Sequence, residues 1–337
     1  MRKTVITTVL ALCVMAGAFA QDKVVIYAAL DTKTANDLVA AFKKKTGIDA
    51  EVALQIEQAG TVSSRVKTEA ANPRADIVIG GNSTVHGDLA AGGFTEPYLS
   101  PVVKQAGIDK KFMDENGYWT GWYFGALCLI YNTDRYNKEL APKGIRPPTT
   151  WDDLLDPAYK GEVIASNPAT TGAAYLMLAA QIFRLKSEDA GFEYIKKLNT
   201  NVAQYTAGAN GSIPLVSQGE AIAGFAWGHD TINQKLKGNL PITVVFPKDT
   251  GFEIGAVSIV KGAPHKALAE KFVDFILSPE AQRINAEDGY RYPVRDDVAL
   301  PAAMPAFKDL SLAPWDLKMA AAKTDDWKKR WSSITGK

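Results

Sequence analysis

The chain has 337 residues, a formal net charge of +1 at pH 7 and 47% hydrophobic residues. A nearly neutral chain carries no electrostatic footprint for nucleic acid or an anionic lipid surface, so we expect neither as a partner. The length is enough for about two domains of ordinary size.

The first twenty residues predict a secretory signal peptide. Arg2 and Lys3 give a basic start, an apolar run covers 5–18, and Ala18-Phe19-Ala20 offers small residues at a cleavage site. The apolar run is too short for a comfortable membrane span. We therefore expect 1–20 to be removed before Gln21, which leaves 337 less 20, or 317, residues of a soluble periplasmic protein. Its formal charge falls to −1 because Arg2 and Lys3 leave with the signal.

The two cysteines predict no internal disulfide. Cys13 lies in the signal, and Cys128 stands alone in an apolar run, which is typical of an inert buried thiol. An alternative makes Cys13 a lipid-modified residue, although Leu10-Ala11-Leu12 places a bulky residue where such sites usually carry a small one. We rank that alternative second.

Strand-like and helix-like segments alternate after the signal. The pattern predicts strands at 24–27, 48–56 and 76–79, and helices from Ala35 to Gly47, over 61–71 and after Ser83. This order indicates a mainly parallel sheet with right-handed crossovers.

The pattern restarts after Pro147-Pro148. It predicts strands at 162–165, 221–227, 242–246 and 252–260. It also predicts a short helix that begins at Trp151, a long helix that ends at Phe183, and helices over 188–198, 265–277 and 279–286. No flexible linker separates the two α/β units, so we expect lobes joined by strands that pass between them. The expected lobes are 21–124 plus 254–300 and 125–253 plus 301–337, the latter ending in packing helices.

The turn Thr170-Thr171-Gly172-Ala173 is a candidate anion site. Open parallel sheets bind ligands at the carboxyl ends of their strands, and a helix that begins there directs unpaired N–H groups outward. Gly172 lets a ligand approach the backbone, which suits phosphate. Plain N-capping by Thr170 or Thr171 is the alternative.

Two further turns carry polar residues. Gly80-Gly81-Asn82-Ser83 suits a ligand held against the backbone, although capping by Ser83 explains it equally well. His229 and Asp230 follow an apolar strand that ends at Trp227, and they suit hydrogen bonds to neutral hydroxyl groups. The alternative there is a surface turn in which Asp230 caps a helix.

The remaining polar candidates have simple structural explanations as well. Glu253 is a lone acid in an apolar strand, where a structural salt bridge is the alternative. His86 and His265 have no acidic or cysteine neighbours at ligand spacing, so we expect both to be solvated. The common motifs of hydrolases, P-loops, zinc proteases and dinucleotide enzymes are missing. This favours binding over catalysis, with no catalytic residue and no cofactor.

Several short stretches, in this order and at these separations, resemble the periplasmic ferric-binding and related solute-binding proteins of ABC importers. They are Val24-Val25-Ile26-Tyr27, Ala75-Asp76-Ile77-Val78 with Gly81-Asn82, Thr150-Trp151 through Tyr159-Lys160-Gly161, Ala169-Thr170-Thr171-Gly172-Ala173, Gly219-Glu220-Ala221, Ser278-Pro279-Glu280-Ala281-Gln282 and Tyr292-Pro293-Val294. The resemblance implies a type II periplasmic binding protein, with two α/β lobes that close on the ligand by a hinge.

The departures from that family concern the metal. Iron-binding members use two adjacent tyrosines, often with a His and a Glu, and a bound anion. Here the tyrosine positions fall at His229 and Asp230, the His position near Asp31 and the Glu position near Gly81. No phenolate is present there, so the resemblance implies no metal site.

The anion positions, in contrast, are kept, which is similar to the hexose-phosphate-binding branch of the family. The resemblance implies phosphate at Thr170, Thr171, Gly172, Ala173, Asn82 and Ser83, and the sugar at His229, Asp230, Glu253, Asp31 and Trp227. We therefore expect a monomeric protein that binds a sugar phosphate and delivers it to an inner-membrane permease.

Three alternatives remain open. A metal-binding protein of the same fold would use His229, Asp230, Glu253 and Asp31 as mixed ligands. A phosphonate or another organophosphate would keep the anion turn without needing the acidic pair. A secreted hydrolase would depend on His229.

Overall fold

The computed structural model of the chain describes residues 22–56 and 58–337, except for the side chains of residues 317 and 318. The predicted signal peptide, its cleavage site and Cys13 lie outside these residues. Within them, none of the helices combines the length and the hydropathy that a membrane crossing requires.

Strands and helices alternate through most of the described chain. The strands are β1 (Lys23–Ala29), β2 (Asp49–Gln55), β3 (Ile77–Asn82), β4 (Thr95–Glu96), β5 (Thr120–Asn132), β6 (Val163–Ser166), β7 (Val202–Thr206), β8 (Ala223–Trp227), β9 (Ile242–Val245), β10 (Phe252–Val260) and β11 (Tyr292–Pro293). The helices are α1 (Thr32–Thr46), α2 (Ala59–Thr68), α3 (Ser83–Ala91), α4 (Pro101–Gln105), α5 (Thr133–Arg135), α6 (Gly172–Arg184), α7 (Glu188–Asn199), α8 (Ser212–Ser217), α9 (Gly228–Gly238), α10 (Lys266–Ile276), α11 (Pro279–Gly289), α12 (Leu317–Ala322) and α13 (Thr324–Thr335). Short 3₁₀ or π turns lie at Lys110–Phe112, Tyr136–Leu140, Ala141–Lys143, Trp151–Leu155, Pro157–Tyr159 and Phe307–Asp309.

The long strand β5 joins two half-sheets. The strand order is β2-β1-β3-β10-β5-β8-β6-β7. The first part of β5, Thr120 to Ala126, pairs with β10, and the part from Leu127 onward pairs with β8 and β9. We call β2-β1-β3-β10 with the first part of β5 the first half-sheet, and β8-β6-β7 with the second part the second half-sheet.

In each half-sheet the outer strands pair in parallel, and the antiparallel pairs involve β5 or β10. The pairs β1–β2, β1–β3, β6–β7 and β6–β8 are parallel, as the alternation of strands and helices predicts. The strands β5 and β10 instead pair antiparallel with each other and with their outer neighbours. The chain therefore crosses between half-sheets without breaking the hydrogen-bonded surface.

Two hydrophobic cores lie against these half-sheets. The first includes Phe42, Trp122 and Phe272, each at most 1% exposed, and draws on both ends of the chain. The second includes Phe225 together with Trp327 and Trp331 of α13, whose side chains are also at most 1% exposed. We propose on this basis the division into two lobes predicted above, with α13 as part of the second.

The segment that leads from β9 into β10 is fixed to the middle of β5. Thr250 is fully buried, and its hydroxyl donates to the Leu127 carbonyl at 2.8 Å. The Leu127 amide donates in turn to the Gly251 carbonyl at 2.9 Å. Asp249 has a φ of 53°, so the chain turns sharply just before this contact. These bonds hold β10 in the position from which it presents Glu253.

We expect Thr250→Val to lower the free energy of unfolding by about 1–2 kcal/mol, because the Leu127 carbonyl loses a buried donor. Denaturant unfolding followed by tryptophan fluorescence measures the change. Thr61→Val is the control, since Thr61 is exposed on α2, and a change within about 0.5 kcal/mol is expected there. Equal losses in the two variants would contradict the role assigned to Thr250.

Candidate functional site

Six helices follow the carboxyl ends of parallel strands, and four of them carry predicted site residues at their N-termini. These four are α1 after β1, α3 after β3, α6 after β6 and α9 after β8. The side chains of Asp31, Asn82 and Thr171 cap the first three helices, whereas no side chain caps α9. Helix N-termini carry partial positive charge and free N–H groups, so this edge of the two half-sheets favours anions.

The N-termini of α3 and α6 meet across the cleft. A Cβ atom built on Gly172 would lie 2.9 Å from the side-chain nitrogen of Asn82. Asn82 belongs to the first half-sheet, and Gly172 follows a strand of the second. Neither Gly172 nor Ala173 has an acceptor for its backbone N–H in the described chain. The Asn82 amide therefore lies beside the helix N-terminus at which these two peptide N–H groups are free.

The threonine hydroxyls of this turn are hydrogen-bonded to their own backbone. The Thr171 hydroxyl oxygen accepts from the Ala174 amide at 3.2 Å, which is the N-cap given above as the alternative. The exposed Thr170 donates its hydroxyl to the Asn167 carbonyl at 3.2 Å. The free donors at this turn are thus the peptide amides of Gly172 and Ala173 and the hydroxyl proton of Thr171.

His229 and Asp230 lie together at the start of α9. His229 Nε2 is 3.4 Å from Asp230 Oδ2, and that oxygen accepts from Asn210 Nδ2 at 2.6 Å. His229 is only 4% exposed, and its Nδ1 is buried without a partner in the described chain. Burial lowers the pKa of the imidazole to about 4, so the ring is neutral at pH 7. The surface turn offered as the alternative is therefore not what the structure shows.

Trp227 packs behind the imidazole. The two rings are stacked, with centroids 5.8 Å apart and planes inclined by 20°. Tyr123 meets the same imidazole edge to face at 6.4 Å. Trp227 is itself only 7% exposed. Its ring supports the imidazole of His229 and so fixes the orientation of that imidazole.

Glu253 is buried without a salt bridge in the described residues. Its carboxyl group, on a residue 8% exposed, accepts no hydrogen bond there. Burial, assisted by the charge of Asp230 and opposed by Arg291, raises the pKa of Glu253 to about 8. At pH 7 this carboxyl group is mostly protonated, so it can donate as well as accept a hydrogen bond.

A glycine on β5 separates His229 from Glu253. A Cβ atom on Gly125 would lie 2.6 Å from His229 Nδ1 and 3.7 Å from Glu253 Oε1. The absence of a side chain at Gly125 thus lets the imidazole of His229 pack against the β5 backbone, with the Glu253 carboxyl group nearby. Any side chain at residue 125 would collide with the imidazole.

Asp31 forms an ion pair that the sequence did not reveal. Arg291 Nη1 is 3.3 Å from Asp31 Oδ2, and the guanidinium lies over the Tyr123 ring, 5.3 Å from its centroid. Burial raises the pKa of Asp31, but the Thr34 amide and Arg291 lower it by more, so the net shift is downward. The only sequence signal was an arginine directly before the Tyr292-Pro293-Val294 motif.

A small cavity lies between the N-terminus of α3 and Glu253. Its lining includes Asn82 and Ser83 at the start of α3, Glu253 on β10, Tyr175 on α6 and Trp315 near the C-terminus. The cavity volume is about 10 Å³, which is room for about one water molecule. A larger ligand can enter only when the lobes move apart, as a hinged fold allows.

Two other sequence predictions concern single residues. The expectation that His86 is solvated is wrong: it is fully buried, between the Gly80 carbonyl at 2.9 Å and the Ser258 hydroxyl at 2.8 Å. His265 is partly exposed and pairs with Asp76 at 3.1 Å. The prediction that Cys128 is an inert buried thiol is confirmed, since burial raises its pKa to about 12.

The donors of the metal-binding alternative do not converge. In 22–56 and 58–337, no three His, Cys, Asp or Glu side chains lie close enough to hold one metal ion. The buried Arg291 instead pairs with Asp31 and influences the pKa values of His229 and Glu253.

Comparison with known proteins gives both the fold and the family. Residues 72–328 match the model of the bacterial extracellular solute-binding protein family. The periplasmic binding protein AfuA of Actinobacillus pleuropneumoniae, solved with exogenous fructose-6-phosphate bound, superimposes with a TM-score of 0.81 at 28% identity. That match covers 93% of this chain and 98% of AfuA.

Two curated relatives are named for other ligands. Iron uptake protein A1 of Synechocystis is 26% identical over 85% of this chain and 80% of its own length. A Salmonella typhimurium periplasmic protein, proposed by its name to bind 2-aminoethylphosphonate, is 28% identical over 77% of this chain and 73% of its own length.

The predicted type II fold of periplasmic binding proteins is thus confirmed. A binding protein of an ABC importer takes a small molecule as ligand and a membrane permease as partner. The chain belongs to the bacterial extracellular solute-binding protein family and is a solute-binding protein of the ABC-importer type.

Proposed function

We propose that this protein binds a hexose phosphate between its lobes in the periplasm and delivers it to an ABC permease. The observation that carries the proposal is the meeting of the α3 and α6 N-termini, where Asn82 faces Gly172. Peptide N–H groups and helix dipoles bind phosphate without a nearby arginine or lysine. The phosphate would lie between the amides of Gly172 and Ala173 and the side chain of Asn82.

The sugar would lie beside His229, Asp230 and Glu253. A hydroxyl group there can donate to Asp230, accept from the protonated carboxyl of Glu253 and bond to the free Nδ1 of His229. The imidazole of His229 and the carboxyl group of Glu253, both neutral and without partners in the described residues, suit an uncharged end of a ligand that is rich in hydroxyls. AfuA, whose fold this chain shares, was solved with a hexose phosphate.

The same residues argue against a ferric ion. Iron favours anionic oxygen ligands, but here the imidazole and the Glu253 carboxyl are neutral at pH 7. Arg291 places a positive charge beside Asp31, one of the four donors that a metal would need. The phosphonate alternative would use the same anion turn, and the titration described next distinguishes a phosphonate from a sugar phosphate.

Titration of the protein with glucose 6-phosphate, 2-aminoethylphosphonate and ferric citrate, followed by isothermal calorimetry, tests the proposal. We expect glucose 6-phosphate to bind most tightly. Native mass spectrometry of freshly purified protein gives an independent measure, because a retained ligand reports its own mass. Tight iron binding without sugar phosphate binding would refute the proposal.

In the same assay, we expect Asp230→Asn to weaken glucose 6-phosphate about tenfold, since one charge-assisted hydrogen bond is worth about 1.5 kcal/mol or more. Affinity for inorganic phosphate should stay within about twofold, because Asp230 lies at the sugar end. Asp134→Asn, an exposed change on α5, is the control. Equal losses for both ligands would place Asp230 outside the sugar end.

A further inference from the structure

Arg291 is a buried cation that the proposed function does not yet use. The residue is 7% exposed and follows α11 by two positions. Its guanidinium lies over Tyr123, the ring that also contacts His229. Arg291 shifts the pKa values of both His229 and Glu253 through its charge, so it is close to the sugar end of the site.

The hydrogen-bonding capacity of this guanidinium is mostly unfilled. Nη1 donates to Asp31 at 3.3 Å and marginally to Asn285 at 3.5 Å. Nε is buried and has no partner in the described chain. An arginine has five N–H donors, and a buried donor without an acceptor costs about 1–3 kcal/mol. An arginine that served only to pair with Asp31 would not need a buried Nε without an acceptor.

The fold leaves room for the guanidinium group of Arg291. A Cβ atom on Gly289 would collide with Arg291 Nη1, so alanine at 289 would displace the guanidinium. Gly289 is the last residue of α11 and has no positive φ. Glycine is therefore needed there because a side chain would not fit, and not because of the backbone conformation. Gly289, Tyr123 and Asp31 together surround the guanidinium group of Arg291.

We propose that Arg291 contacts the ligand, donating to an oxygen at its sugar end, and that it selects an oxygen-rich uncharged end over an ammonium group. This inference rests on the proposed function. A sugar hydroxyl or carbonyl oxygen can accept from Nε, whereas an ammonium group has no acceptor and is repelled by the guanidinium. Asp31 and Asp230 then accept from the hydroxyl protons.

Two variants test the inference by different means. Arg291→Lys keeps the charge and removes the planar donor set. Gly289→Ala keeps the arginine and moves its head group. We expect each to raise the Kd for glucose 6-phosphate about tenfold or more and to change the Kd for 2-aminoethylphosphonate by less than about threefold, as loss of one charged hydrogen bond predicts. Arg283→Lys, exposed on the same helix, should change neither value.

Thermal unfolding of the ligand-free variants separates contact from structural support. A contact role predicts the selective loss of glucose 6-phosphate in at least one variant whose melting temperature is preserved. The inference is overturned if both variants keep wild-type affinity, or if they lose both ligands equally in proportion to their stability. If wild-type protein binds no sugar phosphate, the proposed function fails as well, which the wild-type titration alone reveals.

Discussion

Gly172→Ala is expected to weaken glucose 6-phosphate about 100-fold while leaving stability unchanged or slightly raised. The new methyl group would lie 2.9 Å from Asn82 Nδ2, in the place proposed for the phosphate. Losing about two hydrogen bonds to a charged group costs about 3 kcal/mol, which is about 100-fold in Kd. Alanine is also the better helix former, so the start of α6 should not suffer.

The matched control is Gly60→Ala. Gly60 is the second residue of α2, and a Cβ atom there would have no heavy atom within 4 Å. It makes the same chemical change near the N-terminus of a helix that is not proposed to contact the ligand. Calorimetric titration should show wild-type affinity for this variant. If Gly172→Ala also kept wild-type affinity, the phosphate would not lie between α3 and α6.

The parts of the fold that depend on local signals were predictable. The strand β10 has the predicted bounds, because an apolar run between turn residues is visible in any window. Helix α1 ends at Gly47, whose φ of 73° is the conformation that glycine adopts most easily. The anion turn was recognisable because it combines a glycine with capping residues at one helix start.

The long strand β5 was not predicted. Its sequence shows an apolar run, but its structural role depends on partners far away in the chain. Gly125 pairs with Glu253 and Leu127 pairs with Trp227, more than 90 positions downstream in each case. A strand that changes partners halfway along has no local signature, since periodicity reports which face is buried and not which strand lies beside it.

The ionisation states of the site residues also could not be predicted from the sequence. Glu253 was expected at the sugar end with a salt bridge as the alternative, yet its burial makes it a protonated acid at pH 7. Arg291, Asp31 and Tyr123 lie far apart in the chain and meet only in the folded protein. Desolvation and pairing are properties of a three-dimensional neighbourhood, so residue type alone cannot give them.

Glu253 should make the protein less stable as the pH rises from 6.5 to 8. Its pKa is raised from 4.5 to about 8, so the native state holds a proton that the unfolded chain has released in this range. The stabilising effect is complete below the unfolded value and is lost as the pH passes the folded value. The slope is at most about 1.4 kcal/mol per pH unit, or about 2 kcal/mol over the window.

The two buried histidines act in a lower window. The pKa values of His229 and His86 fall from 6.5 to about 4, so their contribution is present above pH 6.5 and lost as the pH falls through 4. At pH 6.5 the unfolded imidazoles are still half protonated, so the two histidines together add about 0.8 kcal/mol of stability as the pH rises to 8, against the loss from Glu253. Comparison with a variant that lacks only the Glu253 proton removes this contribution.

Glu253→Gln removes the titrating proton and should flatten this slope, so that the variant gains stability relative to wild type at pH 8 but not at pH 6.5. Denaturant unfolding of both proteins at the two pH values measures the difference, in which all other titrating groups cancel. Glu193→Gln, an exposed change on α7, should keep the wild-type slope. An unchanged slope in Glu253→Gln would mean that the carboxyl group is ionised in the folded protein. The sugar end would then bear a third negative charge beside Asp31 and Asp230, and it would bind a cation better than a hydroxyl group.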